Sequence, residues 1–410
     1  MEPKLRFKAF SDELSHHTLM DIIVEKPSNG IMNRQSDKVT AVKHINVIDM
    51  YTDDKIHVDE LRYSEYGDTA VEKCNVEIGD IFLTRSSVKA DGIAKSNILL
   101  DDGIYVYDDH LIRLKVDKNN YIPEFVNDYL ASPRFRRQFI VRAKTTAFTT
   151  IGQGDVASCT GDFPSLPEQQ KIAEFLLTID TVIKKQKETV SAWEERKKGV
   201  MQKLFSQEVR FKADDGSDFP EWEEKYLSDI ASFHSGLTYT PDDVVDSENG
   251  ILVFRSSNIQ NGRIAYDDNV YVDKELKEKN YVKLHDIVVC VRNGSKSLVG
   301  KNALVTESDL NATWGAFMSV IRAKQNYEFI HQYLNSTFFK KEMYKDSGTA
   351  TINQITTAML NGCKLFVPSL AEQQKIADCL SSLDEVIEKQ KATLAVWEEL
   401  KKGLLQQMFV

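Results

Sequence analysis

Apolar residues recur at alternating spacings of four and three along two long stretches of the chain, residues 164–206 and 368–410. This spacing is the heptad seam of a coiled coil. After its first four residues neither stretch contains proline, and glycine appears only near its end. Each stretch therefore predicts one long helix with a single apolar stripe. The seam positions are Ile172, Leu176, Ile179, Ile183, Gln186, Val190 and Trp193 in the first stretch, and Ile376, Leu380, Leu383, Ile387, Gln390, Leu394 and Trp397 in the second.

The two stretches are copies of one another. Aligned 204 positions apart, they are identical at 25 of 43 positions. Even the polar residues on the seam recur, Gln186 with Gln390 and Lys197 with Lys401. A polar group on a seam costs stability but can fix the register of the two helices. We therefore expect each helix to pack against its own copy.

Similarity at the same spacing extends beyond the helices. The sequence RFKA at residues 6–9 returns at 210–213, and EFVNDYLASPRF at 124–135 resembles EFIHQYLNSTFF at 328–339. The whole chain is therefore a tandem duplication. The helical segments have stayed alike, whereas the roughly 160 residues before each have diverged.

Short apolar or alternating runs, such as DIFLTR and DIVVCVR, predict strands in the diverged parts, and apolar residues at helical spacing predict helices late in each. The predicted fold class is α/β, with two mixed α+β domains and two long antiparallel coiled-coil helices in a pseudo-two-fold tandem duplication. The predicted segments are 1–163, a globular domain; 164–206, a helix; 207–367, a second globular domain; and 368–410, a second helix.

A duplicated chain that closes on itself favours the antiparallel arrangement. In that arrangement we expect Gln186 and Gln390 to lie near the crossing centre. Replacing both with Leu should then leave the fold intact and raise thermal stability, and a large loss of stability would contradict the arrangement.

Charge and composition argue against some classes of function. The net charge of −10 argues against a protein that coats nucleic acid indiscriminately. Residues 131–150 nevertheless carry five positive side chains and no acidic one, which fits either a solvated helix face or a binding surface. The five cysteines form no CxxC pair, no apolar run approaches the length of a membrane span, and the N-terminus has no apolar signal-peptide core. We expect a cytoplasmic protein that does not contact a membrane.

Common catalytic motifs are missing. The sequence has no Walker A loop, HExxH, GxSxG or GxGxxG. One loose match to a nuclease pattern, Asp242 with Glu275 and Lys277, offers paired carboxylates and a lysine, but chance matches are common in so charged a chain and the other half does not repeat it. The sequence therefore favours a recognition and assembly module over an enzyme.

The repeated block PSLPEQQKIA…DTVI…W…KKG, together with RSSNIQNGRI and GDIFLTRSS, resembles the specificity subunits of Type I restriction-modification enzymes over essentially the whole chain. The resemblance implies two target-recognition domains, each reading one half of a split double-stranded DNA site, and a spacer made of the repeated helices. It implies no catalysis and no cofactor of its own. Its implied partners are two methyltransferase subunits, which use S-adenosylmethionine to methylate adenine, and restriction/translocase subunits, which use ATP and Mg.

Base reading needs Arg, Lys, Asn, Gln or Ser side chains on groove-facing loops. The candidates for DNA contact are Arg85, Ser86, Ser87, Lys89, Lys95, Arg134, Arg136 and Arg137 in the first domain, and Arg255, Ser256, Asn258, Arg292, Asn293, Ser295, Lys296 and Lys301 in the second. Each has an alternative, for example a bracing role for Arg255 or a methyltransferase contact for the basic helix. Residues that either shape a loop or contact DNA are Thr150, Gly152, Gln153, Thr351, Asn353 and Gln354.

Two further interpretations stay open. The EQQK blocks at 168–171 and 372–375 are either exposed first-turn residues or part of a methyltransferase docking surface. The whole chain could also be a coiled-coil scaffold whose end domains bind proteins, which predicts no sequence-selective DNA binding.

Overall fold

The computed structural model describes residues 3–52, 54–246, 249–344 and 353–409. They form two compact units. Unit 1 is Met1–Glu188 with Lys391–Val410, and unit 2 is Thr189–Gln390. Each unit therefore takes in one globular part together with a portion of both long helices.

In the described residues, unit 1 consists of short strands and five α-helical segments, followed by the end of the last helix. Its strands are β1 (Ser15–Thr18), β2 (Ser28–Asn29), β3 (Gln35–Ser36), β4 (Lys43–Ile45), β5 (Arg62–Ser64), β6 (Ile81–Thr84), β7 (Ser86–Ser87), β8 (Ser96–Ile98), β9 (Tyr105–Tyr107), β10 (Leu111–Leu114), β11 (Lys144–Thr145), β12 (Thr149–Thr150) and β13 (Thr160–Phe163). Its helices are α1 (Asp68–Cys74), α2 (Pro123–Ala131), α3 (Pro133–Arg142), α4 (Gln153–Ala157) and the first part of α5 (Leu166–Phe205). The sheets have the orders β2-β10-β6-β8, β3-β5-β4-β9, β11-β12-β7 and β1-β13.

Unit 2 repeats most of this plan. Its strands are β14 (Glu223–Tyr226), β15 (Ala231–Ser235), β16 (Val244–Val245), β17 (Ile251–Phe254), β18 (Ile259–Gln260), β19 (Arg263–Ile264), β20 (Tyr271–Val272), β21 (Ile287–Cys290), β22 (Asn302–Leu304), β23 (Ala312–Trp314), β24 (Met318–Ala323) and β25 (Lys364–Val367). Its helices are the rest of α5, then α6 (Leu227–Ile230), α7 (Tyr327–Asn335), α8 (Thr337–Tyr344), α9 (Thr357–Asn361) and most of α10 (Leu370–Met408). The sheet orders β15-β24-β21-β22, β16-β20-β17-β23 and β14-β25 correspond to those of unit 1.

The C-terminal end of each long helix is anchored in a globular core. In unit 1, Phe409 stacks on Tyr129 of α2 with ring centroids 5.1 Å apart. In unit 2, Phe205 packs edge-on against Tyr333 of α7 at 5.7 Å. These two pairs are related by the 204-residue repeat. Burying each aromatic ring contributes roughly 1.5–3 kcal/mol, so the repeat preserves the attachment of the helix end.

In unit 1 the two long helices run antiparallel. Lys401 lies 2.5 Å from Asp180, and Lys187 lies 3.2 Å from Glu398. The contacts advance along α5 while they recede along α10, which is the antiparallel sense. The predicted fold class, with mixed helix-and-strand units and long helices that pack together, is confirmed.

In unit 2 the same arrangement explains a lysine on the apolar seam. Lys197 of α5 lies 2.6 and 2.7 Å from the two carboxylate oxygens of Asp384 on α10. Gln332 of α7 donates to the same carboxylate at 2.8 Å. Lys197 and Asp384 are the repeat equivalents of Lys401 and Asp180. Each of the two seam lysines therefore forms an interhelical ion pair.

The other seam positions differ in burial. Trp193 and Trp397 are half-buried, and the Arg196 guanidinium lies over the Trp193 ring. The buried seam residues are Ile172, Leu176, Ile179, Ile183, Val190, Ile376, Leu380 and Ile387, and the half-buried ones also include Gln186, Leu383, Gln390 and Leu394. The placement of Gln186 and Gln390 at the crossing centre stays a prediction. Among the helices in the part of the chain that the structure describes, none is long and apolar enough to cross a membrane.

Candidate nucleic-acid interface

In unit 1 a small sheet carries several of the predicted contact residues. Strand β6 ends at Thr84, and the chain continues through Arg85 into β7, which pairs with β12. The backbone of Arg85 is held on both sides, because its N–H donates to the His110 carbonyl at 2.7 Å and its carbonyl accepts from Ile151 at 3.0 Å. We call residues 85–89 and 144–150 edge 1.

The side chains of edge 1 are suited to a polyanion. Arg85, Lys89 and Lys144 are exposed, and neither segment of the edge contains an acidic residue. Within the described ranges the Arg85 side chain makes no hydrogen bond or ion pair. Phe148, in the turn between β11 and β12, is 55% exposed. Cations with neighbouring hydroxyls match the phosphates and base edges of DNA.

The basic helix α3 is mostly committed to the fold. Arg134 donates to Asp162 at 3.3 Å. Arg136 donates to the carbonyls of Ile93 and Asp91, and burial lowers its pKa. Of the three predicted arginines, Arg137 alone is exposed. Half-buried Lys95 lies between β6 and β8, where its N–H donates to the Thr84 hydroxyl at 2.9 Å.

In unit 2 the position equivalent to Arg85 is Val291, whose N–H donates to the Phe317 carbonyl at 3.0 Å and whose carbonyl accepts from Ile355 at 2.7 Å. The next residue is an arginine held by neighbouring side chains. Arg292 follows β21, and its Nε and Nη2 donate to Gln354 Oε1 at 3.1 and 2.6 Å. Its guanidinium carbon lies 5.8 Å from the centre of the Phe317 ring. Asn293 donates to the Ser256 hydroxyl at 3.0 Å, and Asn353 to the Gly294 carbonyl at 3.1 Å. We call residues 292–296, 353–354 and Phe317 edge 2.

Two candidates in unit 2 belong to the interior of a loop. Asn258 is fully buried, and it accepts from the Arg255 N–H and donates to Ala265 and Asp268. In this structure Asn258 serves the loop, and its contact with DNA stays a prediction. Arg255 donates to the Asp268 carbonyl at 2.9 Å and pairs with its carboxylate at 2.8 Å, so it braces the same loop.

The remaining candidates lie on or beside edge 2. Ser295 is exposed and shares a hydrogen bond with Ser297. Lys296 is exposed, with its ammonium 5.3 Å from the Tyr344 ring centre. Lys301 is half-buried, and its carbonyl accepts from the N–H of Cys290, the last residue of β21, at 2.8 Å.

The residues before the long helices were expected either to shape a loop or to contact DNA, and the structure places them in two kinds of position. Thr150 lies in edge 1, and Asn353 and Gln354 lie in edge 2. Gly152 is the N-cap residue that precedes α4, and Gln153 contacts Asn29 of β2, so these two shape the loop. Thr351 lies outside the described residues. The sequence analysis did not single out Phe317, because no motif marks it. Its side chain is 59% exposed, and this exposure can be seen only in the folded structure.

The EQQK blocks are divided between interior and surface. Glu168 and Glu372 are 1% and 0% exposed, so the expectation of exposed first-turn residues is wrong for them, whereas Gln170, Lys171 and Gln374 are exposed as that alternative expects. Arg6 donates to Glu168 through Nε and Nη2, each at 2.7 Å, and Arg210 to Glu372 at 3.1 and 2.9 Å. The repeated RFKA sequence supplies these arginines, which explains why the two motifs recur together. We call each pair an Arg–Glu clamp.

The residues of the nuclease-like match lie on the surface. Asp242, Glu275 and Lys277 are all exposed. In this loop region the ion pair is between the neighbouring residues Asp243 and Lys274, at 3.1 Å.

Comparison with known proteins gives a consistent picture. Residues 220–396 match the family of type I restriction modification DNA specificity domains. The type I restriction enzyme StySPI specificity subunit of Salmonella potsdam is 30% identical over 190 residues, 45% of this chain. The aligned part is 41% of that relative, so the match covers less than half of its length.

Two solved structures share the fold. The S subunit of the Type-I restriction-modification system from M. genitalium has a TM-score of 0.53 at 16% identity, covering 100% of this chain and 99% of that one. A chain from a structure of assembly and conformational transition in the type I R-M system has a TM-score of 0.55 at 15% identity, covering 96% and 97%.

Proposed function

We propose that this chain belongs to the family of type I restriction-modification specificity subunits and is the DNA-recognition subunit of such a system, which the family match, the curated relatives and the shared fold support. Units 1 and 2 each read one half of a bipartite target in double-stranded DNA. The observation that carries the proposal is the equivalent placement of edge 1 and edge 2. Both follow the same strand of their unit, both pair with the segment before the long helix, and both present cations.

The difference between the edges supports two different half-sites. Edge 1 presents Arg85 with hydroxyl side chains, and edge 2 presents Arg292 with amides. Arginine and amide side chains discriminate among base pairs in the major groove, whereas lysine contacts to phosphates mainly fix position. Divergence at the edges on a retained framework is what a split, asymmetric target requires.

In this proposal the two long helices act as the spacer that separates the two DNA-reading parts. Helix α5 has 40 residues, which corresponds to about 60 Å. Half-sites on one face of DNA recur about every 34–36 Å. A helix pair of this length is sufficient to set the spacing of the two half-sites.

Other subunits supply the chemistry in this proposal. Two methyltransferase subunits transfer a methyl group from S-adenosylmethionine to adenine, and restriction/translocase subunits use ATP and Mg. The chain itself is non-catalytic. Its net charge of −10 is compatible with DNA binding if the partner subunits contribute positive surface around the duplex.

Selection from a random duplex pool tests the proposal. The chain is purified with the methyltransferase subunit of its own system, and bound DNA is sequenced at several salt concentrations. We expect a split motif and an affinity that falls steeply with salt. Arg85→Ala should relax one half of the motif only, whereas Arg62→Ala, which alters an exposed arginine on a different sheet of unit 1, should change neither.

A pool that shows no enrichment would contradict the proposal. If the two proteins nevertheless co-purify, the second candidate, a coiled-coil scaffold that binds proteins alone, becomes the better account. Metal-dependent cleavage of DNA by the isolated chain would instead favour a nuclease.

A further inference from the structure

We propose that Arg292 reads a guanine in the major groove of the half-site bound by unit 2, and that Gln354 is the positioning residue that sets its orientation. The inference rests on the proposed function and names the base and the side chains that deliver one part of the specificity.

The hydrogen bonds that Arg292 makes within the chain leave the end of its guanidinium group available for a ligand. A guanidinium has a lateral edge formed by Nε and one terminal nitrogen, and an end formed by its two terminal nitrogens. Gln354 Oε1 accepts from Nε and Nη2, which occupies the lateral edge. The N–H groups directed along the end remain available. Guanine presents O6 and N7 as two adjacent acceptors, and a bidentate arginine is their commonest partner.

The guanidinium is also held in place before any ligand arrives. Its central carbon lies over the Phe317 ring, and the Arg292 N–H donates to the Phe317 carbonyl at 3.1 Å. The backbones of Arg292 and Gln354 form an antiparallel bridge. A side chain fixed by an amide on one edge and a ring on one face loses little rotational freedom on binding, which favours affinity.

The charge of Arg292 is not neutralised within the described part of the chain, where its side-chain partners are an amide and a ring. Other arginines of unit 2 differ. Arg255 pairs with Asp268, and Arg322 pairs with Asp286 at 3.0 Å. An arginine that is oriented but uncompensated is suited to an external acceptor, whereas one paired with a carboxylate serves the fold.

Edge 1 lacks this bracket at the repeat-equivalent position. Thr150 stands 204 residues before Gln354 and has a short hydroxyl in place of the amide. The orientation imposed on Arg292 is therefore a property of unit 2, and the bracketed guanine should belong to one half-site only.

The test uses the complex with the methyltransferase subunit and the selected target. Arg292→Ala should reduce the preference for one guanine by between about 5-fold and 150-fold, the range of a good bidentate contact. The preferences in the other half-site should not change. Gln354→Ala should weaken the same single preference. Gln354→Glu keeps the acceptor that orients the guanidinium but compensates its charge, so it should retain the base preference at a lower overall affinity. Arg263→Ala, at an arginine 69% exposed elsewhere in unit 2, is the matched control.

A second measurement does not depend on a variant that folds. Each guanine of the half-site is replaced by 7-deazaguanine, which lacks the N7 acceptor, and binding of the unaltered complex is measured. Loss of binding at one position supports the inference, and unchanged binding at every guanine overturns it.

The failures are distinguishable. If the unaltered complex selects no motif, the proposed function itself fails. If it selects a motif whose base preferences survive Arg292→Ala, the reading role of Arg292 is overturned. If Arg292→Ala removes the preference but Gln354→Ala does not weaken it, the positioning role of Gln354 is overturned.

Discussion

Arg210→Ala is expected to destabilise unit 2 by about 3–5 kcal/mol, the cost of leaving a buried charge without its partner. Glu372 is 0% exposed and accepts from Arg210 Nε and Nη2 and from Trp222 Nε1 at 3.0 Å. The variant leaves this carboxylate with the indole alone. Because the Arg210 side chain is 21% exposed, water reaches the vacated position, and the loss should lie nearer 3 than 5 kcal/mol.

Urea unfolding followed by tryptophan fluorescence measures the effect. Trp193, Trp222 and Trp314 lie in unit 2, so the signal reports mainly on that unit. Arg210→Ala combined with Glu372→Gln is the matched control. It removes both charges and keeps the shape of the buried side chain at position 372, so most of the loss should be recovered. A loss below 1 kcal/mol for the single variant, or a double variant no more stable than it, would refute the clamp as a buried ion pair.

Two other predictions concern the helix contacts. Burial raises the pKa of Asp128 to about 7, so stability from this group falls as pH rises from about 4 to 7, because the folded chain holds a proton that the unfolded chain releases. Asp128→Gln introduces the residue found at the repeat-equivalent position, Gln332, and should remove this pH dependence. The free energy of unfolding should rise by at most about 4 kcal/mol at pH 8. Thermal melting at pH 5 and pH 8 measures the effect, and equal stabilisation at both pH values would contradict the prediction. Lys197→Glu should cost roughly 1–2 kcal/mol, and Lys197→Glu with Asp384→Lys should restore the melting temperature; no recovery would contradict their pairing.

The long helices were predictable because their signal is local and repeated. The stretches 164–206 and 368–410, which the heptad spacing marked as helices, lie close to the observed bounds of α5 at Leu166–Phe205 and α10 at Leu370–Met408. Heptad spacing without internal proline leaves little alternative to a helix. The ion pair of Lys401 was not foreseen, although its partner Asp180 also recurs 204 residues later.

The interface was harder to predict because burial depends on distant residues. Arg292 and Gln354 are 62 positions apart, and two-residue strands such as β7 and β12 have no periodicity to read. Asn258 has the composition of a base-reading residue, yet the fold of its own loop buries it and satisfies its amide. Sequence identifies which side chains could bind DNA; only the fold separates those that face outward.

Mapping methylated adenines in the DNA of cells that express the chain with the methyltransferase subunit of its system tests the central claim most directly. The account predicts methylation within one split, asymmetric motif of two short specific parts separated by a fixed gap. Arg85→Ala should alter one part, and Arg292→Ala the other. Methylation at an uninterrupted motif, or a split motif in which both variants alter the same part, would contradict the assignment of one half-site to each unit.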